Sequence, residues 1–178
     1  SDHGFESYYT IIEIANIDAP FLVDSTVGYL DKYSIEIINI IHPTYLINRD
    51  ISGNITKISC DKKDRNESII QFHIDKINND IEIENFTKGL EHVIETVNLV
   101  VAQWKNMLEV VKSCKSQIDN AVKIVDDVYQ LQEIKDFIDW MVSGNFVLLG
   151  VKEFDIKKND KSQHILEEVK DREFGVFC

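Results

Sequence analysis

Asp18, Asp24 and Ser25 are the residues of this chain whose types and spacing most invite chemistry. They flank the start of a predicted helix, in the string Ile17-Asp18-Ala19-Pro20-Phe21-Leu22-Val23-Asp24-Ser25. Two carboxylates serve as an acid/base pair only in a shared cleft that drives their pKa values apart. The plainer reading has Asp18 capping the helix and Asp24 favouring its positive end. Pro20 fits the first turn, where an N–H would be an orphan in any case. A strand feeding straight into a helix N-terminus also offers backbone N–H groups to a small anion. The candidate effector site is therefore Asp18, Phe21, Asp24 and Ser25, with the N–H groups between Ala19 and Leu22 holding a carboxylate.

Other chemistry has less support in the sequence. His3, His42, His73, His92 and His164 form no H-x-x-x-H pair and lie at no ligand spacing from a cysteine, so no metal site is expected. Cys60, Cys114 and Cys178 are odd in number and widely spaced, which argues for free thiols in a reducing cytosol. Trp104, Phe137, Trp140, Phe146 and Phe154 fall at helical and strand spacing and read as core. Neither the dinucleotide glycine fingerprint, nor a phosphate-binding P-loop, nor a G-x-S-x-G elbow is present.

The elements that would position the turn at Asp18 follow from hydrophobic periodicity. Residues 8–17 alternate as a strand, with Ile12 and Ile14 on one face and Glu13 on the other. A helix is predicted over 20–33, with Val23, Val27 and Leu30 as its apolar stripe, broadened by Leu22 and Tyr29. Ile35 to Ile41 is apolar on both faces, as a central strand would be. His42-Pro43 interrupts it, because proline cannot donate to a ladder, and the strand resumes over 44–48. A turn at Ser52-Gly53-Asn54 leads to a short strand over 55–60, then to a charged loop over 61–66. Residues 67–77 place Ile70, Phe72 and Ile74 inward, with Gln71, His73 and Asp75 outward.

After a polar connection a long helix is predicted over 86–116. Phe86, Leu90, Val93, Ile94, Val97, Val101, Trp104, Leu108 and Val111 recur at three- and four-residue steps. A second helix over 119–143 carries Val122, Val125, Leu131, Ile134, Ile138 and Met141, and stops at Gly144-Asn145. A strand over 146–156 and a loop over 157–163 follow. Glu173 to Cys178 reads as the opening of a further strand, so the sequence is expected to be cut from a longer polypeptide.

The 178 residues are 44% hydrophobic and 28% charged, ordinary values for a globular chain. Net charge is −12 and the isoelectric point about 4.8. Such acidity repels phosphate backbones and anionic lipid, so no nucleic acid and no membrane partner is expected. The nearest basic patch, Lys62-Lys63-Asp64-Arg65, is broken by an aspartate and reads as a solvated loop. No run of apolar residues is long enough to span a bilayer, and no secretory leader is evident.

Asp18-Ala-Pro-Phe-Leu-Val-Asp-Ser25, Ile40-Ile-His-Pro43 and Arg49-Asp50 together resemble the N-terminal region of the large bacterial NAD-specific glutamate dehydrogenases. The resemblance continues through Glu67 to Asp75, through Trp104 with Met107, and through Trp140, Asn145 to Gly150 and Lys152-Glu-Phe154. The family's Asp-Asp-Met-Pro is Ile17-Asp-Ala-Pro20 here, and its histidine before the phenylalanine is Asn145. The resemblance implies a fold, α+β and ACT-like (ferredoxin-like), with an antiparallel sheet and helices on one face, then a helical linker and the start of a second, truncated unit. It implies boundaries of 1–85 for sheet and first helix, 86–143 for the long helices and 144–178 for the second unit.

The same resemblance implies a function. The parent enzymes oxidise L-glutamate to 2-oxoglutarate and ammonia with NAD, using residues far C-terminal to this region. This chain is then a non-catalytic regulatory or assembly fragment, with no cofactor of its own. Its implied partners are the remainder of the same polypeptide, other copies in a homo-oligomer and an amino-acid effector, in the cytoplasm. Phe21 stands where many amino-acid-binding ACT domains have glycine, which puts interaction at least on a par with sensing. An amino-acid sensor of another enzyme and a pure oligomerisation module are the alternatives.

Overall fold

A computed structural model describes residues 7–59, 65–121, 128–159 and 162–178. His3, Cys60, Lys62 to Asp64, Val122 and Val125 lie outside the described residues. The chain divides into two compact units, residues 1–97 and 98–178, and the division falls inside a helix.

The first unit is an antiparallel sheet with helices. In chain order it holds β1 (Thr10–Ile17), α1 (Leu22–Lys32), β2 (Ile37–Ile41), β3 (Thr44–Arg49), β4 (Ile55–Ser59), β5 (Arg65–Ile74) and the start of α2 (Asp80–Ala121). The strands run β1-β5-β3-β4, and β2 lies against β5 beyond β3. Ile12 faces Phe72 and Ile14 faces Ile70, so one register places the alternating isoleucines of both strands on one face. Ile70, Phe72 and Ile74 are fully buried, as are Leu22 and Leu30 of α1. Each such burial is worth about 1.5–3 kcal/mol.

Several expectations need correction. Helix α1 begins at Leu22, not Pro20, and buries Leu22, Thr26 and Leu30 rather than Val23 and Val27. Thr26 is tolerated there because its hydroxyl donates to the Leu22 carbonyl at 2.8 Å. β2 is not a central strand. Among the described residues it pairs with β5 alone, through a bulge between Ile37 and Asn39, and leaves Ile38, Ile40 and Ile41 exposed. The interruption at His42-Pro43 is real, and the Pro43 carbonyl accepts the Ile69 N–H at 3.0 Å. β5 is the central strand, and it starts at Arg65, inside the segment expected to be a loop.

Helix α2 starts six residues before the expected position. Asn79 accepts the Ile81 N–H on its side chain at 3.0 Å and the Ile83 N–H on its carbonyl at 3.0 Å, and Asp80 and Glu82 favour the positive end.

The second unit comprises the rest of α2, α3 (Val128–Trp140), a π-helical turn (Met141–Asn145), β6 (Gly150–Lys158) and β7 (His164–Gly175). Among the described residues its buried hydrophobic side chains are Val100, Met107, Val110, Leu131 and Ile138. The stripe on α2 is thus shifted from the expected Val101, Trp104, Leu108 and Val111, and Trp104 is exposed. Gly144, at φ 91°, breaks the helix as expected. Phe174 does not open a strand. It closes β7, which pairs antiparallel with β6, and the turn that follows is tied by the Cys178 N–H to the Gly175 carbonyl at 3.1 Å.

Candidate functional site

Asp18 does not cap α1. That position belongs to Phe21, whose backbone is left-handed (φ 71°, ψ −2°) and whose carbonyl accepts the first helical bond from the Ser25 N–H at 2.9 Å. A left-handed phenylalanine is uncommon and stores backbone strain. Asp24 lies exposed in the first turn, so Phe21, Asp24 and Ser25 share that turn. Asp18 is turned away from it, toward the start of β5.

There Asp18 accepts the Ser68 hydroxyl at 2.6 Å and the Asn66 side-chain amide at 2.8 Å, while its own N–H donates to the Asn66 carbonyl at 2.9 Å. His42 Nε2 lies 3.0 Å from the same Ser68 oxygen. A hydroxyl has one proton, and this one goes to a carboxylate, which only accepts. His42 is therefore the donor to Ser68, an assignment fixed by the hydrogen-bond network. The order Asp–Ser–His is the wrong one for nucleophilic catalysis, which needs the imidazole between the other two. Ser68 is also fully buried, out of reach of a substrate.

A second polar tie lies one residue away. Glu67 is only 3% exposed, a costly place for a carboxylate without a partner. Arg49 donates to it through Nε at 2.8 and 3.1 Å and through Nη2 at 2.6 Å, and spans to the Gly53 carbonyl through Nη1 at 2.6 Å. These bonds push the guanidinium pKa up, keeping Arg49 charged. Asp50 next door accepts the N–H groups of Ser52 and Asn54, both at 2.9 Å, and the Asn54 amide at 3.1 Å. The Asn54 side chain, then its backbone, hold the Asp50 carboxyl below the ordinary carboxylate range.

Several of the residues that carry the family resemblance thus converge. Asp18, His42, Pro43, Arg49, Glu67 and Ser68 meet at the N-terminal end of β5. Asn66, Glu67 and Ser68 are not site candidates by residue type and spacing, although Glu67-Ser68 opens one segment of the family resemblance. Their partners lie 18 to 50 residues away along the chain, as for Arg49 with Glu67 and Asp18 with Ser68. No local periodicity announces such pairs.

Among the described residues, two of the cavities of the first unit lie elsewhere. One, of about 690 Å³, is lined by Tyr29, Tyr33, Asp75, Asn79 and Phe86, among others. The Tyr29 hydroxyl donates to the Phe86 carbonyl at 3.1 Å, and burial, then Tyr33, raise its pKa. The other is a groove of about 550 Å³ between β1 and α2. Among the described residues no cluster of three or more His, Cys, Asp or Glu is placed to hold a metal, and no helix is long and apolar enough to cross a membrane.

The chain as a whole is similar to known proteins. The NAD-specific glutamate dehydrogenase of Halomonas elongata is 25% identical over 180 aligned residues, covering 99% of this chain and 11% of that protein. The enzyme of the same description from Pseudomonas aeruginosa is 25% identical over 158 residues, covering 86% of this chain and 10% of its own length. The chain therefore spans about a tenth of the length of these curated relatives. No solved structure matches it. The family model for the glutamate dehydrogenase ACT1 domain matches residues 1–90, half of the chain and nearly all of its first unit. The chain belongs to the glutamate dehydrogenase ACT1 domain family.

Proposed function

We propose that this chain is a non-catalytic regulatory and assembly module of an NAD-specific glutamate dehydrogenase. The observation that carries this is the pattern of coverage: the match to the Halomonas enzyme takes in 99% of this chain and 11% of that one. In this reading the oxidation of L-glutamate to 2-oxoglutarate and ammonia, and the NAD that accepts the hydride, belong to the rest of a longer polypeptide, in the cytoplasm. The internal chemistry supports the reading. The polar residues at the start of β5 are joined to one another, which makes them a brace for the sheet, and Ser68 is buried.

Assembly is the stronger of the two roles. The Asp18 carboxylate is already bound by Ser68 and Asn66, leaving Phe21, Asp24 and Ser25 as the residues that face an effector at the α1 turn. Phe21 holds a left-handed position and is 38% exposed, so a bulky ring stands where an amino acid would need close approach to backbone. Its partners in assembly are other copies and the remainder of the polypeptide.

A thermal-shift screen against the amino acids, 2-oxoglutarate and NAD tests this. A ligand at a hundredfold over its dissociation constant adds about 2.7 kcal/mol of stability. The expected result is no shift with any of them. A shift with one amino acid that is lost in Asp24→Ala/Ser25→Ala makes the module a sensor. A shift with NAD overturns the reading.

A further inference from the structure

The outer edge of β1 is unoccupied by any described strand. The Asp18 N–H bonds to Asn66, and residues 16, 14, 12 and 10 face 68, 70, 72 and 74, so even-numbered residues of this strand direct their backbone groups to β5. Ile11, Glu13, Ala15 and Ile17 consequently direct theirs the other way, where the Ile17 carbonyl accepts the Asn16 side-chain amide at 2.8 Å. Among the described residues β1 pairs with β5 alone, β6 pairs with β7 in a separate sheet, and α2 runs on to Ala121 without returning a strand.

Natural edges are blunted by lysine, proline, bulges or short length. β1 has eight residues, Thr10-Ile-Ile-Glu-Ile-Ala-Asn-Ile17, with no lysine, no proline and no register shift against β5. Beside it runs the groove of about 550 Å³, floored by Ile12 and Ile14 of the strand and by Phe86, Leu90 and Ile94 of α2. Among the described residues its lining carries the carboxylates Glu91 and Glu95 of α2 and no cationic side chain, while the Glu13 carboxylate lies on the other face, bound by Gln71 at 2.9 Å. Open backbone bonds beside an apolar groove with an acidic rim are the features that strand addition uses.

We propose that an extended segment of the longer glutamate dehydrogenase polypeptide adds to the β1 edge, with apolar side chains in the groove and lysine or arginine against Glu91 and Glu95. This rests on the proposed function for the source of the strand. Charge selects against a second copy of this chain at the same edge, because pairing β1 with β1 would bring two sets of these carboxylates together. A tethered segment also meets its site at millimolar effective concentration, so modest intrinsic affinity suffices.

Amide hydrogen exchange at Ile11, Glu13, Ala15 and Ile17 reads the edge directly. The comparison is between this 178-residue chain and the longer polypeptide. The expected result is exchange slower by about tenfold or more in the longer polypeptide, as for strand amides that gain a partner. Glu91→Lys with Glu95→Lys in that polypeptide should return the four amides to fast exchange while α2 stays protected. Equal exchange in both chains overturns the proposal, as does concentration-dependent protection of the 178-residue chain with dimer formation. Assaying the longer polypeptide for NAD-linked glutamate oxidation separates the two ideas. Its absence sinks the proposed function and leaves the exchange comparison to stand or fall by itself.

Discussion

Asp50 shows most plainly what the charged residues of this chain do: it closes the turn between β3 and β4 by binding Ser52 and Asn54. Those bonds favour its ionised form, so its pKa is lower folded than unfolded. A depressed carboxylate stabilises the fold above the unfolded value of about 3.9 and loses that contribution as pH falls through the folded value. Asp50→Ala should therefore melt lower than the parent chain near neutral pH, with the gap closing below about pH 3.9; melting curves across pH 2–7 check this. A gap that persists at the acid end would place the effect in something other than the charge. At this scale the sequence was half legible. The types Asp18, His42, Arg49 and Asp50 stand out, but Asp18 reads as a cap because it precedes a helix. The antiparallel register brings Asn66 and Ser68 within reach of its carboxylate instead, and register is a property of two distant segments.

The elements were more legible, because periodicity is local. The alternation of Ile70, Phe72 and Ile74 and the length of α2 both follow from side-chain spacing. The start of α2 was hidden by its polar first turns, which a cap at Asn79 makes helical. One position within α2 answers to α1. A Cβ on Gly89 would stand 2.0 Å from the Tyr29 hydroxyl and 2.8 Å from its Cζ, so the glycine makes room for a ring that also contacts Phe86 and Tyr33. Alanine in a helix is favoured over glycine by about 1 kcal/mol. Gly89→Ala should show that gain only when Tyr29 is first replaced by alanine. In the otherwise unaltered chain it should be neutral or destabilising, and the Tyr29 pKa should fall back toward its ordinary value of 10.0 as the ring leaves. A double-mutant cycle with ultraviolet titration of the tyrosines measures both. A full gain with Tyr29 in place would mean the ring does not lean on Gly89.

For the whole molecule, sheet order was the part the sequence withheld. Which strand neighbours β1 depends on pairing across fifty residues or more, and the apolar run of β2 points to the centre when its place, among the described residues, is beside β5 alone. The division into two units was equally silent, since Val97 and Asn98 sit in an unbroken helical pattern. Domains joined by loops are nicked between them. Here limited proteolysis should spare residues 90–105, and an early cut there would contradict a continuous α2. The same continuity bears on descent. A polypeptide shortened to its first unit would end in mid-helix, with its last four carbonyls lacking partners and no glycine nearby to turn the chain. Shuffling of gene segments therefore finds no clean breakpoint at this seam, because a cut there leaves a frayed helix end.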